Sequence, residues 1–161
     1  MGVKPIKIKN PNYEYVLNDF ISVKIMQLSN QLNRQSVRIL SKHSKLRLPE
    51  WRCLTVIVVH GELKIGKIAD TLSSDFGQVS RAVTALEKMD YVVTERDKKD
   101  KRRVKVKVTA KGLEEFEKIM PILNNRQKLL HNSLEAGENK MLRSAIEKLR
   151  EATKKFETTN L

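Results

Sequence analysis

The chain has 161 residues, with 32 Lys and Arg against 19 Asp and Glu, and its formal net charge is +13. This length suits one domain-sized unit with a sizeable core, and this charge predicts a polyanionic partner, nucleic acid before membrane. The sequence has no apolar run near the ~20 residues of a membrane span, no signal-peptide apolar region and a single cysteine. We therefore expect a cytoplasmic protein with no intrachain disulfide and no membrane partner.

The N-terminal part of the chain predicts an arm and then a long helix. Residues 1–12 are polar and basic with two prolines, which favours an irregular arm. Residues 13–45 predict one long helix or two in line, because their apolar residues recur every three or four positions. These apolar residues are Leu17, Ile21, Ile25, Leu28 and Leu32. A helix of this length projects beyond a small core, so its apolar stripe needs a second surface.

Residues 50–60 predict the next helix. Pro49 precedes it, at the position that proline prefers in a helix start, and Gly61 ends it. Its expected buried side comprises Trp51, Leu54, Ile57 and Val58. Cys53 lies beside these residues, and we expect it to be a small core residue rather than a reactive thiol.

Residues 65–88 predict two helices joined by a short polar turn. Apolar residues recur at helical spacing in residues 65–72, and Ser73, Ser74 and Asp75 then interrupt the helix and cap the next one. The helical period resumes from Phe76, and the outer face of this second helix is polar. Its outer residues are Gln78, Ser80, Arg81, Thr84 and Lys88. Such a pair of helices is typical of a helix-turn-helix.

The pattern then changes to that of a β-hairpin with a basic tip. Residues 91–95 are β-branched and aromatic, while Val104, Val106 and Val108 alternate with lysines. Between these segments, residues 96–103 (RDKKDKRR) carry six basic and two acidic side chains, a run that must be solvated. A helix-turn-helix followed at once by a basic hairpin predicts a winged helix.

The C-terminal part predicts two more helices. Residues 111–130 have an apolar side formed by Leu113, Phe116, Met120 and Leu123, and Pro121 should kink or divide this helix. Gly137 weakens the start of the last helix, which has a clear apolar stripe from Met141 onward. This stripe comprises Leu142, Ala145, Ile146, Leu149 and Phe156. A winged-helix core cannot cover the first helix and the last two, so these faces predict a homodimer.

Three motifs together resemble the MarR family of winged-helix regulators. They are LPEWRCL (residues 48–54), DFGQVSRAVTALEK (residues 75–88) and D-x-x-D-x-R-x-V-x-V-x-V-T-x-x-G (residues 97–112). The resemblance covers about residues 13–157. Ser73 and Asp90 stand where the family often has a turn glycine, although Asp tolerates a left-handed conformation. Lys64 replaces a common Ser or Thr cap.

This resemblance implies a mainly α (α+β) fold in which residues 1–161 form a single MarR-like domain. Residues 13–45 and 111–157 would be dimerisation helices, and residues 48–109 would be the winged helix-turn-helix lobe. The implied function is a homodimeric repressor that binds a pseudo-palindromic operator in double-stranded DNA. The residues expected at the DNA are Asp75, Gln78, Ser80, Arg81, Thr84 and Lys88 on the recognition helix and Lys98, Lys99, Lys101, Arg102 and Arg103 in the wing, where Asp100 would hold Arg102.

In MarR family members that respond to aromatic acids, the ligand pocket lies near the helix that begins at LPEW. A small aromatic or apolar acid could therefore contact Trp51, with polar contacts from Ser29, Arg38 or His43. In the alternative interpretation, Trp51 anchors the core and Arg38 is a surface charge.

Nothing in the sequence indicates an enzyme. His43, His60 and His131 are isolated, no group of residues has metal-ligand spacing, and no Gly-rich loop suggests phosphate binding. We therefore expect no catalytic residue, metal or cofactor. Two other functions remain open: a sequence-independent architectural DNA-binding protein, and a ligand-binding interaction module that has lost operator specificity.

Overall fold

The computed structural model describes residues 19–96 and 104–160, and it divides the chain into two compact units, one ending at Phe116 and the other beginning at Glu117. The described elements are α1 (Ile21–His43), α2 (Leu48–His60), β1 (Leu63–Lys64), α3 (Ile65–Leu72), α4 (Phe76–Lys88), β2 (Val92–Arg96), β3 (Val104–Val108), α5 (Ala110–Asn132) and α6 (Ala136–Asn160). None of the described helices combines the length and the apolar character needed to cross a bilayer.

The core of the first unit lies where α2, α3 and α4 pack against one another and α2 contacts β3. Its fully buried apolar side chains include Leu54, Ile57, Ile68, Leu86 and Val106. They come from all three helices and the central strand, so one small core fixes the relative positions of the helix-turn-helix and the sheet.

Helix α2 begins at Leu48, two residues earlier than predicted. The carboxylate of Glu50 accepts the backbone N–H of Arg47 at 2.7 Å, and the Arg47 guanidinium donates to the same carboxylate at 2.5 Å. Glu50 is only 2% exposed, so these bonds satisfy a buried charge while they cap the helix. Pro49 lies in the first turn, as predicted.

The buried side of α2 is wider than its apolar periodicity predicted. Trp51, Leu54 and Ile57 are buried as expected, but Val58 is only half-buried. Val56 is buried as well, beside Cys53, which was expected in the core, since α2 packs on α1, α3, α4 and β3 and so has contacts on several sides.

Two left-handed residues end the helices of the helix-turn-helix. Ser73 has φ 48° after α3 and Asp90 has φ 59° after α4, which confirms that both turns form without glycine. The Asp75 carboxylate accepts the backbone N–H of Gln78 at 3.0 Å and caps α4, as predicted. Lys64 makes no side-chain cap bond at the start of α3.

The three strands form an antiparallel sheet in the order β1-β3-β2. Val106 lies opposite Leu63 on one side and Thr94 on the other. Strand β1 was not predicted, because two residues are too few to show an alternating pattern. It pairs with β3 and connects the end of α2 to the start of α3.

The long helices differ from the prediction at two points. Helix α5 runs from Ala110 to Asn132 through Pro121, so of the predicted kink or division, the division does not occur. Proline removes only one backbone donor from the helix. Helix α6 begins at Ala136, where the Glu138 carboxylate accepts the Glu135 N–H at 2.8 Å and offsets the weak start at Gly137.

Candidate nucleic-acid interface

Helix α4 is attached to the core along one side and open along the other. Val79, Ala82, Val83 and Leu86 are at most 3% exposed, and their spacing fixes the rotation of the helix about its axis. The side chains predicted to meet DNA lie on the opposite side. Gln78, Arg81, Thr84 and Lys88 are exposed and Ser80 is half-buried.

The N-terminal turn of α4 brings polar groups together. A Cβ atom on Gly77 would lie 3.0 Å from Oδ1 of Asp75 and 3.4 Å from Nη1 of Arg81. The Arg81 guanidinium therefore lies close to Gly77, near the start of the helix. Asp75, also predicted at the DNA, uses its carboxylate to cap the helix.

Glu87 connects the recognition helix to the wing strand. Its Oε1 accepts the backbone N–H of Thr94 at 3.2 Å and also the Thr94 hydroxyl. Thr94 is on β2, an edge strand whose outward N–H groups need partners. Glu87 therefore links α4 to β2. Sequence reasoning missed this residue, because nothing in its helical position indicates a partner on a strand.

Lysines at the base of the hairpin are paired with carboxylates. The Nζ of Lys105 lies 2.5 Å from Glu62, and the Nζ of Lys107 lies 3.0 Å from both Glu62 and Glu95. Hydrogen bonds from these lysines lower the pKa of Glu62, and the bonds to Glu62 and Glu95 raise the pKa of Lys107. The predicted wing-tip residues, Lys98, Lys99, Asp100, Lys101, Arg102 and Arg103, lie outside the described residues.

The residues predicted for an effector site lie in different local surroundings. Trp51 is 6% exposed and its ring stacks on Phe116, with 5.4 Å between centroids and 14° between planes. Arg38 lines an open depression on α1 together with Asn30, Asn33, Arg34 and Val37. Ser29 is exposed and His43 is half-buried, and neither lines that depression.

Cys53 lies in the core and is 1% exposed, as predicted. Burial, together with the nearby Glu50 carboxylate, raises the pKa of its thiol to about 11. In the part of the chain that the structure describes, no three potential metal ligands cluster.

Comparison with known proteins agrees with this geometry. The sequence model of the MarR family matches residues 46–104, which span α2, the helix-turn-helix and the hairpin. Residues 46–104 form a MarR family domain. Over 82 residues the chain is 34% identical to the uncharacterized HTH-type transcriptional regulator YkoM of Bacillus subtilis (strain 168), a match that covers 51% of this chain and 53% of YkoM. The chain thus spans about half the length of this curated relative.

Solved structures extend the likeness beyond the MarR domain. A MarR/EmrR family transcriptional regulator from Acinetobacter sp. ADP1 is 28% identical with a TM-score of 0.77, covering 83% of this chain and 94% of that one. MepR of S. aureus, solved in a complex with DNA, is similar in fold: 18% identity, a TM-score of 0.74, and coverage of 83% and 96%. The predicted mainly α, winged helix-turn-helix fold is confirmed.

Proposed function

We propose that this chain is a homodimeric transcriptional repressor that binds a pseudo-palindromic operator in double-stranded DNA. The observation that carries the proposal is the recognition helix. Four buried side chains on one side of α4 hold it against the core, and exposed polar and basic side chains cover the other side. Such a helix can enter a major groove without losing any core contact.

In this proposal, α4 reads bases and the wing contacts the backbone. Gln78, Ser80, Arg81, Thr84 and Lys88 face base edges and flanking phosphates, and Arg102, held by Asp100, enters the adjacent minor groove. The Thr84 hydroxyl donates to the Ser80 carbonyl at 3.0 Å, so it meets DNA as an acceptor or through its methyl group. The net charge of +13 adds an attraction that does not depend on sequence.

The dimer is supported by exposed apolar rows on the long helices. On α1, Ile21, Ile25 and Leu28 are 50–59% exposed. On α6, the exposed apolar side chains are Met141, Leu142, Ile146, Leu149 and Phe156. Soluble monomers rarely expose contiguous apolar rows of this extent. Sedimentation should therefore give a dimer of the 18.6 kDa chain at micromolar concentration; a stable, folded monomer would contradict this part of the proposal.

The DNA-binding proposal is tested with fragments of the DNA that flanks the coding region. Fluorescence anisotropy at fixed salt should give an affinity for one fragment about 10³-fold or more above that for random DNA. Footprinting should protect two half-sites with centres ~10 base pairs apart. If the affinity for every fragment equals the affinity for random DNA, the chain is instead an architectural DNA-binding protein.

The proposed repressor is released by a small aromatic or apolar acid. Arg38 supports this, because it places a cation in an open depression on α1. The stacking of Trp51 on Phe116 favours a core role for Trp51, so we expect Arg38→Ala to weaken acid binding more than a change at Trp51. Calorimetry of candidate acids should show reciprocal effects on affinity. Operator DNA should lower the affinity of the protein for the acid by the same factor by which the acid lowers its affinity for operator DNA. Equal acid affinity of free and DNA-bound protein would contradict an effector role.

A further inference from the structure

The first residue of the recognition helix is an exposed aromatic residue. Phe76 is 57% exposed, whereas Trp51 on α2 and Tyr91, just before β2, are buried. A single exposed apolar side chain is ordinary on a protein surface. Phe76, however, lies at the end of α4 that a helix-turn-helix directs toward base edges, beside a polar and basic surface.

Helical geometry places Phe76 in line with residues already assigned to DNA. Residues four apart form a ridge, and Phe76, Ser80 and Thr84 form one such ridge along the outer side of α4. The neighbouring ridge begins at Gly77, over which the Arg81 guanidinium lies. The N-terminal turn therefore presents the Phe76 ring and the Arg81 guanidinium on adjacent ridges. Between them lies Gly77, which has no side chain.

The major groove offers matching partners for this pair. Guanine presents two acceptors that suit an arginine, and thymine presents the C5-methyl group, the apolar feature of the groove. We propose that Phe76 contacts a thymine methyl group in each half-site, next to the base pair that Arg81 contacts. This inference rests on the proposed function, since it names what one residue of that interface recognises.

The test removes one methyl group at a time from the DNA. Each thymine of the protected operator is replaced by deoxyuridine, and binding is measured by fluorescence anisotropy at constant salt. We expect replacement at one particular position in a half-site to weaken binding about fourfold, because a buried methyl contact is lost. Replacement at the equivalent position in both half-sites should weaken binding about fifteenfold. All other positions should change affinity less than twofold.

Protein variants identify the residue that senses the methyl group. Phe76→Ala should weaken binding to the natural operator and remove the difference between thymine and deoxyuridine at the sensitive positions. Val59→Ala is the matched control, because Val59 is 65% exposed on α2 and lies outside the proposed interface; it should keep the full difference. Equal urea midpoints for all proteins establish that each variant is folded.

The outcomes separate this inference from the proposed function. Specific operator binding with every deoxyuridine substitution within twofold would overturn the role of Phe76 and leave the regulator intact. A sensitive thymine whose effect survives in Phe76→Ala would also overturn it, because another residue would then make the contact. Absence of any sequence preference in the unmodified DNA would instead reject the proposed function.

Discussion

Replacing Gly112 by alanine should destabilise the junction between the hairpin and α5. A Cβ atom at Gly112 would lie 2.0 Å from the carbonyl oxygen of Tyr91 and 2.8 Å from its carbonyl carbon. That oxygen also accepts the backbone N–H of Thr109 at 3.1 Å, and the Gly112 N–H donates to the Thr109 hydroxyl at 3.0 Å. The obstacle is therefore backbone held by hydrogen bonds, which cannot move aside as a flexible side chain can.

The expected cost follows from opposing effects. Ordinary van der Waals contact begins near 3.4 Å, so the new methyl group would be about 1.4 Å too close to the Tyr91 oxygen. Overpacking typically costs about 1–3 kcal/mol, and a rigid backbone obstacle belongs at the upper end or above. Alanine regains about 1 kcal/mol of helix propensity. We therefore expect Gly112→Ala to lower the free energy of unfolding by at least about 2 kcal/mol.

Urea unfolding followed by the fluorescence of Trp51, the single tryptophan, measures this loss. With a denaturant slope of about 2 kcal/mol/M, the midpoint should fall by about 1 M at equal protein concentration. Gly66→Ala is the matched control: Gly66 is also near a helix start, and a Cβ atom there meets nothing within 4 Å. Its midpoint should stay level or rise slightly. An unchanged midpoint in Gly112→Ala would refute the close approach of α5 to Tyr91.

Three further predictions concern the core, the wing base and the interface. The raised pKa of Cys53 keeps its thiol protonated in the folded state between about pH 9 and 11, whereas the thiol of the unfolded chain ionises in that window. The free energy of unfolding should therefore fall by about 2–3 kcal/mol from pH 9 to 11. In urea titrations, Cys53→Ala should lack this fall. Glu62→Gln should raise affinity for random DNA and steepen its salt dependence, because Lys105 and Lys107 lose a shared partner; an unchanged slope would mean that neither lysine reaches phosphate. Arg81→Ala should cost about 1–3 kcal/mol on the operator and little on random DNA, whereas Arg102→Ala should weaken both; equal, operator-specific losses would reverse these roles.

The helix-turn-helix could be predicted almost to the residue because its signals are local. Helix α4 begins after Asp75, whose carboxylate accepts the backbone N–H of Gln78. The apolar residues of α4 recur at the helical spacing, which excludes a strand. The left-handed turns at Ser73 and Asp90 follow from the same local chemistry.

Features that depend on distant residues could not be predicted. Trp51 suits a core and a ligand pocket equally well until Phe116, far along the chain, is found stacked on it. Strand β1 exists because Leu63 lies opposite Val106. The close approach that requires Gly112 involves the backbone of Tyr91, which carries no side-chain pattern.

In the proposed DNA complex, the distribution of charge on the first unit affects which cations are available to contact phosphate. Lys105 and Lys107 are held by Glu62 and Glu95, so their fields are largely cancelled at short range. Among the described residues, by contrast, no carboxylate lies within ion-pair distance of Arg81 or Lys88 on α4. An incoming phosphate or guanine therefore has no ion pair to break at these two cations. It follows that the slope of affinity against salt should report the few phosphate contacts of α4 and the wing, and should be much smaller than the net charge of +13 suggests.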